Sequence, residues 1–239
     1  MAEPLLTVEG LTSGYGDIQV LWGVDIVVQQ GEIACIVGSN GAGKTTLLKT
    51  ISGLVRTTGG RIVFEGKDIT GAAPHVVTGG GIAHVPEGRR LFRALSVRDN
   101  LLLGAYLRSD GQAEINKDLD YVYSIFPILK ERAGQDANTL SGGEQQMCAV
   151  GRGLMSRPKL LIIDELSLGL APRAVELIGE ALLSVNENGT AILLVEQDIM
   201  NAFDISDNGF VIDSGAVTLH GPTSELADNP TIQKVYMGL

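Results

Sequence analysis

Cysteine, histidine and tryptophan are scarce in this 239-residue chain, which contains two, three and one of them respectively. Cys35 lies inside an apolar run and Cys148 on one face of a predicted helix, and no C-x-x-C spacing occurs. We interpret both cysteines as small buried hydrophobic residues rather than metal ligands or redox groups. The histidines are scattered along the sequence, which also argues against a metal site.

Long apolar runs are absent as well. No window approaches eighteen consecutive apolar residues, so no membrane-spanning helix is predicted. The first four residues lack the basic and apolar regions of a signal peptide, and we therefore expect a cytoplasmic protein. The apolar fraction of 44% is enough for one sizeable core, or for a core with an inserted lobe.

Basic residues are few: 18 Lys and Arg stand against 28 Asp and Glu, which gives a formal net charge of −10. This argues against nonspecific nucleic-acid binding, which depends on cations that neutralise phosphates, and no nucleic-acid partner is expected. The acidic balance is compatible with docking onto the basic cytoplasmic loops of a membrane protein. It is equally compatible with a role in solubility alone.

Apolar periodicity predicts an α/β protein. The first thirty residues alternate as strands do, and "IACIV" (33–37) is typical of a strand buried on both faces. Further strands are predicted from Arg61, at 160–163 and at 191–195, with a hairpin at 210–219. Helices are predicted at 44–51, 96–107, 113–126, 141–155, 172–185 and from Asn229-Pro230. We interpret about 90–155 as a helical lobe.

A glycine-rich loop follows the first buried strand and opens a helix. Its sequence, "GSNGAGKT" (38–45), fits the phosphate-binding pattern G-x-x-x-x-G-K-S/T. Its backbone N–H groups can face a β-phosphate, and the helix N-terminus adds positive potential. Lys44 is expected to reach the β- and γ-phosphates, and the Thr45 hydroxyl to bind Mg²⁺.

Two carboxylates follow a second buried strand, in "LLIIDE" (160–165). They emerge at the carboxyl end of the strand, where ligands of open α/β sheets bind. Asp164 can hold Mg²⁺ directly or through water. Glu165 can act as general base toward an attacking water.

The segment "LSGGEQQM" (140–147) combines a helix start with two glycines. Ser141 and Glu144 have the spacing of a capping box. Gly142 and Gly143 leave the first turn without side chains, so a ligand can approach the backbone closely. A capped helix N-terminus with bare N–H groups is a site for an anion.

Together "GSNGAGKTT", "LSGGEQQ" and "LLIIDE" resemble the ATP-binding subunits of ABC transporters over essentially the whole chain. The resemblance implies a P-loop NTPase fold: a RecA-like, mostly parallel sheet (1–89 and 156–239) with an antiparallel β element. A helical subdomain (90–155) would carry the signature motif. "HVPEGRRLF", "DELSLGLAP" and "LLVEQD" are more similar to the ATPases of branched-chain amino acid importers.

The resemblance also implies site roles and partners. The Tyr15 ring would stack on adenine. The residues expected to contact ATP are Tyr15, Gly38, Ser39, Asn40, Gly41, Ala42, Gly43, Lys44, Thr45 and Thr46. Those expected to act on a partner cassette's ATP are Ser141, Gly142, Gly143 and Glu144. The implied partners are transmembrane permeases, a second cassette (a heterodimer being favoured) and, indirectly, a periplasmic binding protein, at the cytoplasmic face of the inner membrane.

Three positions depart from the family pattern. Glu87 stands where most cassettes have glutamine, and its carboxylate can still ligate Mg²⁺. Gln197 replaces the usual switch histidine and cannot supply a charge-assisted contact to the γ-phosphate, so we expect a slower site. Leu166 replaces a proline that usually follows the catalytic glutamate.

Two alternatives to an active transport ATPase remain. The chain could clamp ATP with weak hydrolysis of its own beside a more active cassette, as Gln197 and Leu166 suggest. It could also be a soluble ABC protein of DNA repair or translation. The repair type needs a coiled coil between the phosphate loop and the signature, where no heptads occur, and the translation type carries two cassettes in one chain.

Overall fold

The structure is a computed structural model that describes residues 3–234. The chain divides into two compact units. Unit 1 contains the described residues up to Pro74 and those from Ala191 onward, and unit 2 is His75–Thr190. The division into a RecA-like core and a helical subdomain stays a prediction.

The strands, in chain order, are β1 Leu6–Tyr15, β2 Ile18–Val28, β3 Ile33–Val37, β4 Thr57–Phe64, β5 Lys67–Asp68, β6 Ile82–Val85, β7 Leu160–Asp164, β8 Ala191–Glu196, β9 Asn208–Asp213 and β10 Ala216–Pro222. The helices are α1 Lys44–Ile51, α2 Pro74–Gly79, α3 Val97–Leu103, α4 Gln112–Ile125, α5 Pro127–Glu131, α6 Gly142–Leu154, α7 Pro172–Glu187, α8 Ile199–Ile205, α9 Thr223–Ala227 and α10 Pro230–Ile232.

Unit 1 contains two layers of strands. An antiparallel sheet has the order β2-β1-β4-β5, and its strands alternate buried and exposed side chains because one face is solvated. In the second layer β3 is parallel to both β8 and β9, and β9 pairs antiparallel with β10. All five residues of β3 are buried, as its unbroken apolar sequence predicts.

Unit 2 pairs β6 with β7 in parallel and packs them with helices. Gly151 of α6 is close to Val122 of α4, Leu101 of α3 and Leu129 of α5, where a Cβ would lie 2.8–3.6 Å from their methyl groups. This small residue on the apolar face of α6 therefore lets three helices pack closely against it. Among residues 3–234 no helix has both the length and the apolar character needed to cross a bilayer.

Several predicted element boundaries are confirmed and a few shift. The Ser96 cap is confirmed, but α3 ends at Leu103 rather than near residue 107. A side chain at Gly104, the C-cap, would lie 1.9 Å from the Arg152 carbonyl oxygen, so tertiary packing fixes the chain there. β4 begins at Thr57, four residues before the predicted strand, because β1 pairs with that segment. The sequence pattern predicted none of β5, β6, α2, α5, α8 and α9.

Both cysteines are buried free thiols, as predicted. Burial raises the pKa of Cys35 to about 12, against a smaller lowering from its hydrogen bond with Ser206. Burial raises the pKa of Cys148 to about 11. Neither side chain is a nucleophile near neutral pH.

Candidate functional site

The predicted phosphate loop joins β3 to α1 in unit 1, and its backbone requires glycine at defined points. Gly38 has φ +154°, and a Cβ there would lie 2.1 Å from the Ile212 carbonyl oxygen. Gly43 is the N-cap of α1 with φ +106°, where L side chains are strained. No side chain caps α1 at this residue, so the first N–H groups of the helix are not occupied by an N-cap side chain.

Lys44 lies across this loop. Its Nζ donates to the carbonyl oxygens of Gly38 at 2.7 Å and Ser39 at 3.0 Å, and the residue is 5% exposed. The first turn of α1 contains no acidic residue. The buried ammonium group and the helix N-terminus therefore add positive potential at the same place, which suits a polyphosphate.

A distant hairpin turn braces the loop. The Gly215 N–H, between β9 and β10, donates to the Ala42 carbonyl oxygen at 2.9 Å. The Gly215 carbonyl oxygen in turn accepts from the Trp22 N–H of β2 at 2.8 Å. Sequence reasoning missed Gly215 because more than 170 positions separate it from the loop, and its only local signal is a Ser-Gly turn.

Tyr15 and Gln197 also belong to unit 1. Tyr15 ends β1 and is 49% exposed, so about half of the residue is open to solvent. The β1–β2 hairpin that contains Tyr15 contacts the loop through Leu21, whose Cδ2 lies 3.0 Å from the position of a Cβ on Gly43. Val37 pairs with Glu196, so Gly38 and the exposed Gln197 leave the parallel strands at the same edge.

In unit 2 the parallel pair β6 and β7 positions the predicted carboxylates. Val85 pairs with Ile163, so Glu87 and Glu165 each stand two residues past that pair, at one edge. Asp164 is 1% exposed, whereas Glu165 is half-buried and Glu87 is exposed. Glu165 has φ +54°, uncommon for a residue with a side chain and typical of strained functional positions.

The capping box predicted for α6 is confirmed. The Ser141 Oγ accepts from the Glu144 N–H at 3.4 Å, and the Ser141 N–H donates to the Glu144 Oε2 at 2.7 Å. Arg132 pairs with the other oxygen of Glu144 at 3.0 Å. This pairing fixes the carboxylate that closes the box.

The two signature glycines have different surroundings. A Cβ on Gly143 would lie 2.7 Å from the Cβ of Ala174, in the first turn of α7. A Cβ on Gly142 would meet only the guanidinium of Arg89, with Nη2 at 3.3 Å. Close approach of a nucleotide was the reason predicted for both glycines, but Gly143 is also required by packing within unit 2.

Arg152 is a site residue that sequence reasoning missed. From the last turn of α6 its guanidinium donates to the carbonyl oxygens of Arg90 at 2.9 Å and Arg89 at 3.2 Å. Burial lowers its pKa from the usual value for arginine. The sequence offered no signal, because an arginine near a helix C-terminus is expected on electrostatic grounds alone.

The phosphate loop, Tyr15 and Gln197 thus belong to unit 1. Asp164, Glu165, Glu87 and the signature belong to unit 2.

A protein-family profile described as ABC transporter matches residues 21–167, more than half of the chain. The chain belongs to the ABC transporter family. Its fold agrees: a nucleotide-free ATP-binding cassette from an ABC transporter superposes with a TM-score of 0.88 at 26% identity, covering 99% of this chain and 100% of that one. The mixed parallel and antiparallel α/β fold predicted from the sequence is confirmed.

Curated relatives match this ABC ATPase from end to end. The high-affinity branched-chain amino acid transport ATP-binding protein BraG of Pseudomonas aeruginosa is 40% identical over 98% of this chain and 100% of its own length. The probable branched-chain amino acid transport ATP-binding protein LivF of Archaeoglobus fulgidus is 36% identical over 96% and 97%. The lipopolysaccharide export system ATP-binding protein LptB of Escherichia coli is 30% identical over 98% and 97%. The chain is therefore an ABC-type ATPase that binds nucleotide.

Proposed function

We propose that this chain is the ATP-hydrolysing subunit of an importer for branched-chain amino acids. The names of BraG and LivF specify branched-chain amino acid transport, which supports branched-chain amino acids as the solute. The chain would act peripherally at the cytoplasmic face of the inner membrane. Its partners would be transmembrane permeases and a second cassette, with a periplasmic binding protein delivering the solute.

The geometry of the phosphate loop carries the nucleotide part of this proposal. Lys44 is held over the loop by the Gly38 and Ser39 carbonyls, and the N–H groups of α1 begin at the same place. A triphosphate would replace those carbonyls as the partner of the ammonium group. Tyr15 would stack on the adenine, and Thr46 and the other loop residues would complete the contacts.

Each unit contains side chains with oxygen donors that suit Mg²⁺. Thr45 of unit 1 offers a hydroxyl, and Asp164 and Glu87 of unit 2 offer carboxylates, which are the ligand types that Mg²⁺ prefers. Among residues 3–234, no group of three or more His, Cys, Asp or Glu residues is arranged to hold a metal. A magnesium ion bound by any of these side chains would therefore take further oxygens from the nucleotide and water. When bound, it neutralises phosphate charge.

Glu165 is our candidate for the general base. It follows a fully buried strand and takes a strained φ, so the fold restricts its direction. As a carboxylate it would accept the proton of the water that attacks the γ-phosphate. Gln197 would donate a neutral hydrogen bond to a γ-phosphate oxygen, which is weaker than the charged one a histidinium provides.

The signature would act on the ATP of a second cassette. The first turn of α6 presents backbone N–H groups with no side chain at residues 142 and 143. The Glu144 side chain completes the capping box with Ser141 at the start of this turn. ATP can favour a closed pair only through contacts that are better in that state, and signature contacts across the pair provide them. We favour a heterodimer because Gln197 weakens one site.

A second candidate is an ATP-dependent clamp with weak hydrolysis of its own. The exposed Gln197 at the strand edge favours it, since no charge-assisted donor stands at that position. The companion cassette would then hydrolyse most of the ATP. The retained Glu165 favours active hydrolysis.

The test is reconstitution of the chain with its companion cassette, permeases and binding protein in vesicles. We expect ATP-dependent accumulation of labelled leucine, isoleucine or valine, and loss of hydrolysis in Glu165→Gln with ATP binding retained. Unchanged total turnover in Glu165→Gln would support the clamp. Outward movement of a lipid, as the name of LptB suggests for that relative, would contradict import.

A further inference from the structure

The turn between β6 and α3 in unit 2 has a positive φ at three consecutive residues. Gly88, Arg89 and Arg90 have φ of +76°, +65° and +47°. Two of them carry side chains, for which this region is disfavoured. The Arg90 N–H closes the turn on the Gly88 carbonyl oxygen at 2.6 Å, and the Arg90 Nε donates to the Glu87 carbonyl oxygen at 3.3 Å. Such a conformation persists only when its surroundings hold it.

Arg152 supplies that support from α6. Its two hydrogen bonds end on the carbonyl oxygens of Arg89 and Arg90, which are the two strained residues with side chains. Both bonds are charge-assisted, and the guanidinium fork matches two neighbouring acceptors. Arg152 is half-buried, its bond to the Arg89 carbonyl is partly buried and its bond to the Arg90 carbonyl is exposed. Losing both bonds would release the turn from α6.

The other end of α6 meets the same turn through Arg89. Its guanidinium lies against Gly142, the first residue of α6, and donates to the Leu168 carbonyl oxygen at 3.4 Å. Gly142 and Arg152 are ten residues apart, about 15 Å along a helix. The Gly88–Arg90 turn therefore contacts both ends of the signature helix α6. Glu87 directly precedes this turn in the sequence.

We propose that Arg152 is a positioning residue for nucleotide hydrolysis, which holds the Gly88–Arg90 turn on the signature helix and thereby sets where Glu87 points. This rests on the proposed function, in which Glu87 is a ligand of the Mg²⁺ that accompanies ATP. Movement of α6 toward a partner nucleotide would move the turn with it. Arg152 thus links the chain's own metal ligand to the helix that serves the other site.

Arg108 provides a matched control. It is another arginine, its side chain is mostly buried, and it donates to a backbone carbonyl at the end of α6, that of Met155, at 2.9 Å. Within the described residues, no hydrogen bond or ion pair joins Arg108 to the Gly88–Arg90 turn. Arg152→Gln and Arg108→Gln both remove a cation from the end of α6, but only the first releases the turn.

The experiment measures the Mg²⁺ dependence of ATP binding by calorimetry, with the full chain in a Glu165→Gln background, and of ATP hydrolysis in the otherwise unchanged chain. We expect Arg152→Gln to raise the Mg²⁺ concentration for half-maximal binding about tenfold, as loss of a residue that orients a metal ligand does. Arg152→Lys, which can satisfy one carbonyl, should give a smaller rise. Arg108→Gln should lower the melting temperature and leave the Mg²⁺ dependence unchanged.

A cycle with Glu87→Gln decides whether the effect passes through Glu87. In that background Arg152→Gln should produce no further shift. An undiminished shift there, an equal shift in Arg108→Gln, or no shift in either Arg152 variant would overturn the inference. If Arg152→Gln does not fold, Arg152→Lys takes its place in the cycle. Failure of the unsubstituted chain to hydrolyse ATP would instead contradict the proposed function.

Discussion

Substituting the two signature glycines one at a time separates packing within this chain from contact with a partner's nucleotide. Both residues lie in the first turn of α6. Inside a helix alanine is favoured over glycine by about 0.5–1 kcal/mol, which sets the upper limit of the gain here. Gly142→Ala meets only the end of the flexible Arg89 side chain, so we expect it to keep that gain.

Gly143→Ala places a methyl group 2.7 Å from the Cβ of Ala174, an atom fixed to the α7 backbone. Overpacking of this kind costs about 1–3 kcal/mol, which exceeds the helix gain and leaves a net loss of about 1 kcal/mol. In a chain of this size 1 kcal/mol moves the melting temperature by about 2–4 °C. The two variants differ by about 1–2 kcal/mol, so Gly143→Ala should melt about 2–8 °C below Gly142→Ala.

The assay is thermal unfolding of the full chain followed by circular dichroism, together with phosphate release by the assembled complex. The double variant Gly143→Ala with Ala174→Gly removes the clash, and its stability should exceed the sum of the single effects by at least about 0.5 kcal/mol. Both single variants should slow hydrolysis, because each puts a methyl group where the partner's phosphates are proposed to bind. A Gly143→Ala chain as stable as Gly142→Ala, with no recovery in the double variant, would refute the packing argument.

Three further predictions concern the cap of α6, Gln197 and the two cysteines. Ser141→Ala removes the oxygen that caps α6 and should destabilise the chain by about 1 kcal/mol, measured as a fall in melting temperature, whereas Ser141→Asp, which keeps an N-cap acceptor, should lose less. Gln197→His should raise the turnover of the complex with its companion cassette, because a histidinium adds a charged donor at an exposed position; an equal or lower rate would count against the slow-site interpretation. Because burial raises the pKa of Cys35 to about 12 and of Cys148 to about 11, the unfolded chain loses these thiol protons first, from about pH 9. Stability from these groups should thus be complete below pH 9 and fall as pH rises through about 11 for Cys148 and about 12 for Cys35, and the decline should be shallower in Cys35→Ala; an identical pH profile in that variant would contradict the assignment.

The parts of the site that depend on neighbouring residues in sequence were predictable. The capping box of α6 is formed by side chains three positions apart, so its spacing alone indicated the hydrogen bonds that the structure shows. The buried strands β3 and β7 were predicted for a similar reason, since an unbroken apolar run has no solvated face. The predicted phosphate loop follows β3, and the predicted carboxylates lie at the end of β7.

Contacts between distant segments were not predictable from pattern. The two carbonyls that accept from Arg152 lie more than 60 positions before it in the sequence. The residues next to Arg152 in the sequence do not indicate which acceptors its side chain will bind. The early start of β4 was missed because Gly59 and Gly60 lower strand propensity, yet pairing with β1 includes that segment. The hydrogen bond from the Gly215 N–H to the phosphate loop also joins segments that are distant in sequence, and it was missed for that reason.

By itself the sequence determined the local chemistry: a loop that can bind phosphate, a strand that ends in two carboxylates, and a capped helix with a bare first turn. These depend on spacing along the chain, where geometry is set by bond lengths and the helical repeat. Only the tertiary structure decided that Gly143 must be small for Ala174, and that one arginine holds a strained turn beside Glu87. Those facts depend on which surfaces meet after folding, and side chains far apart in sequence carry no local record of that meeting.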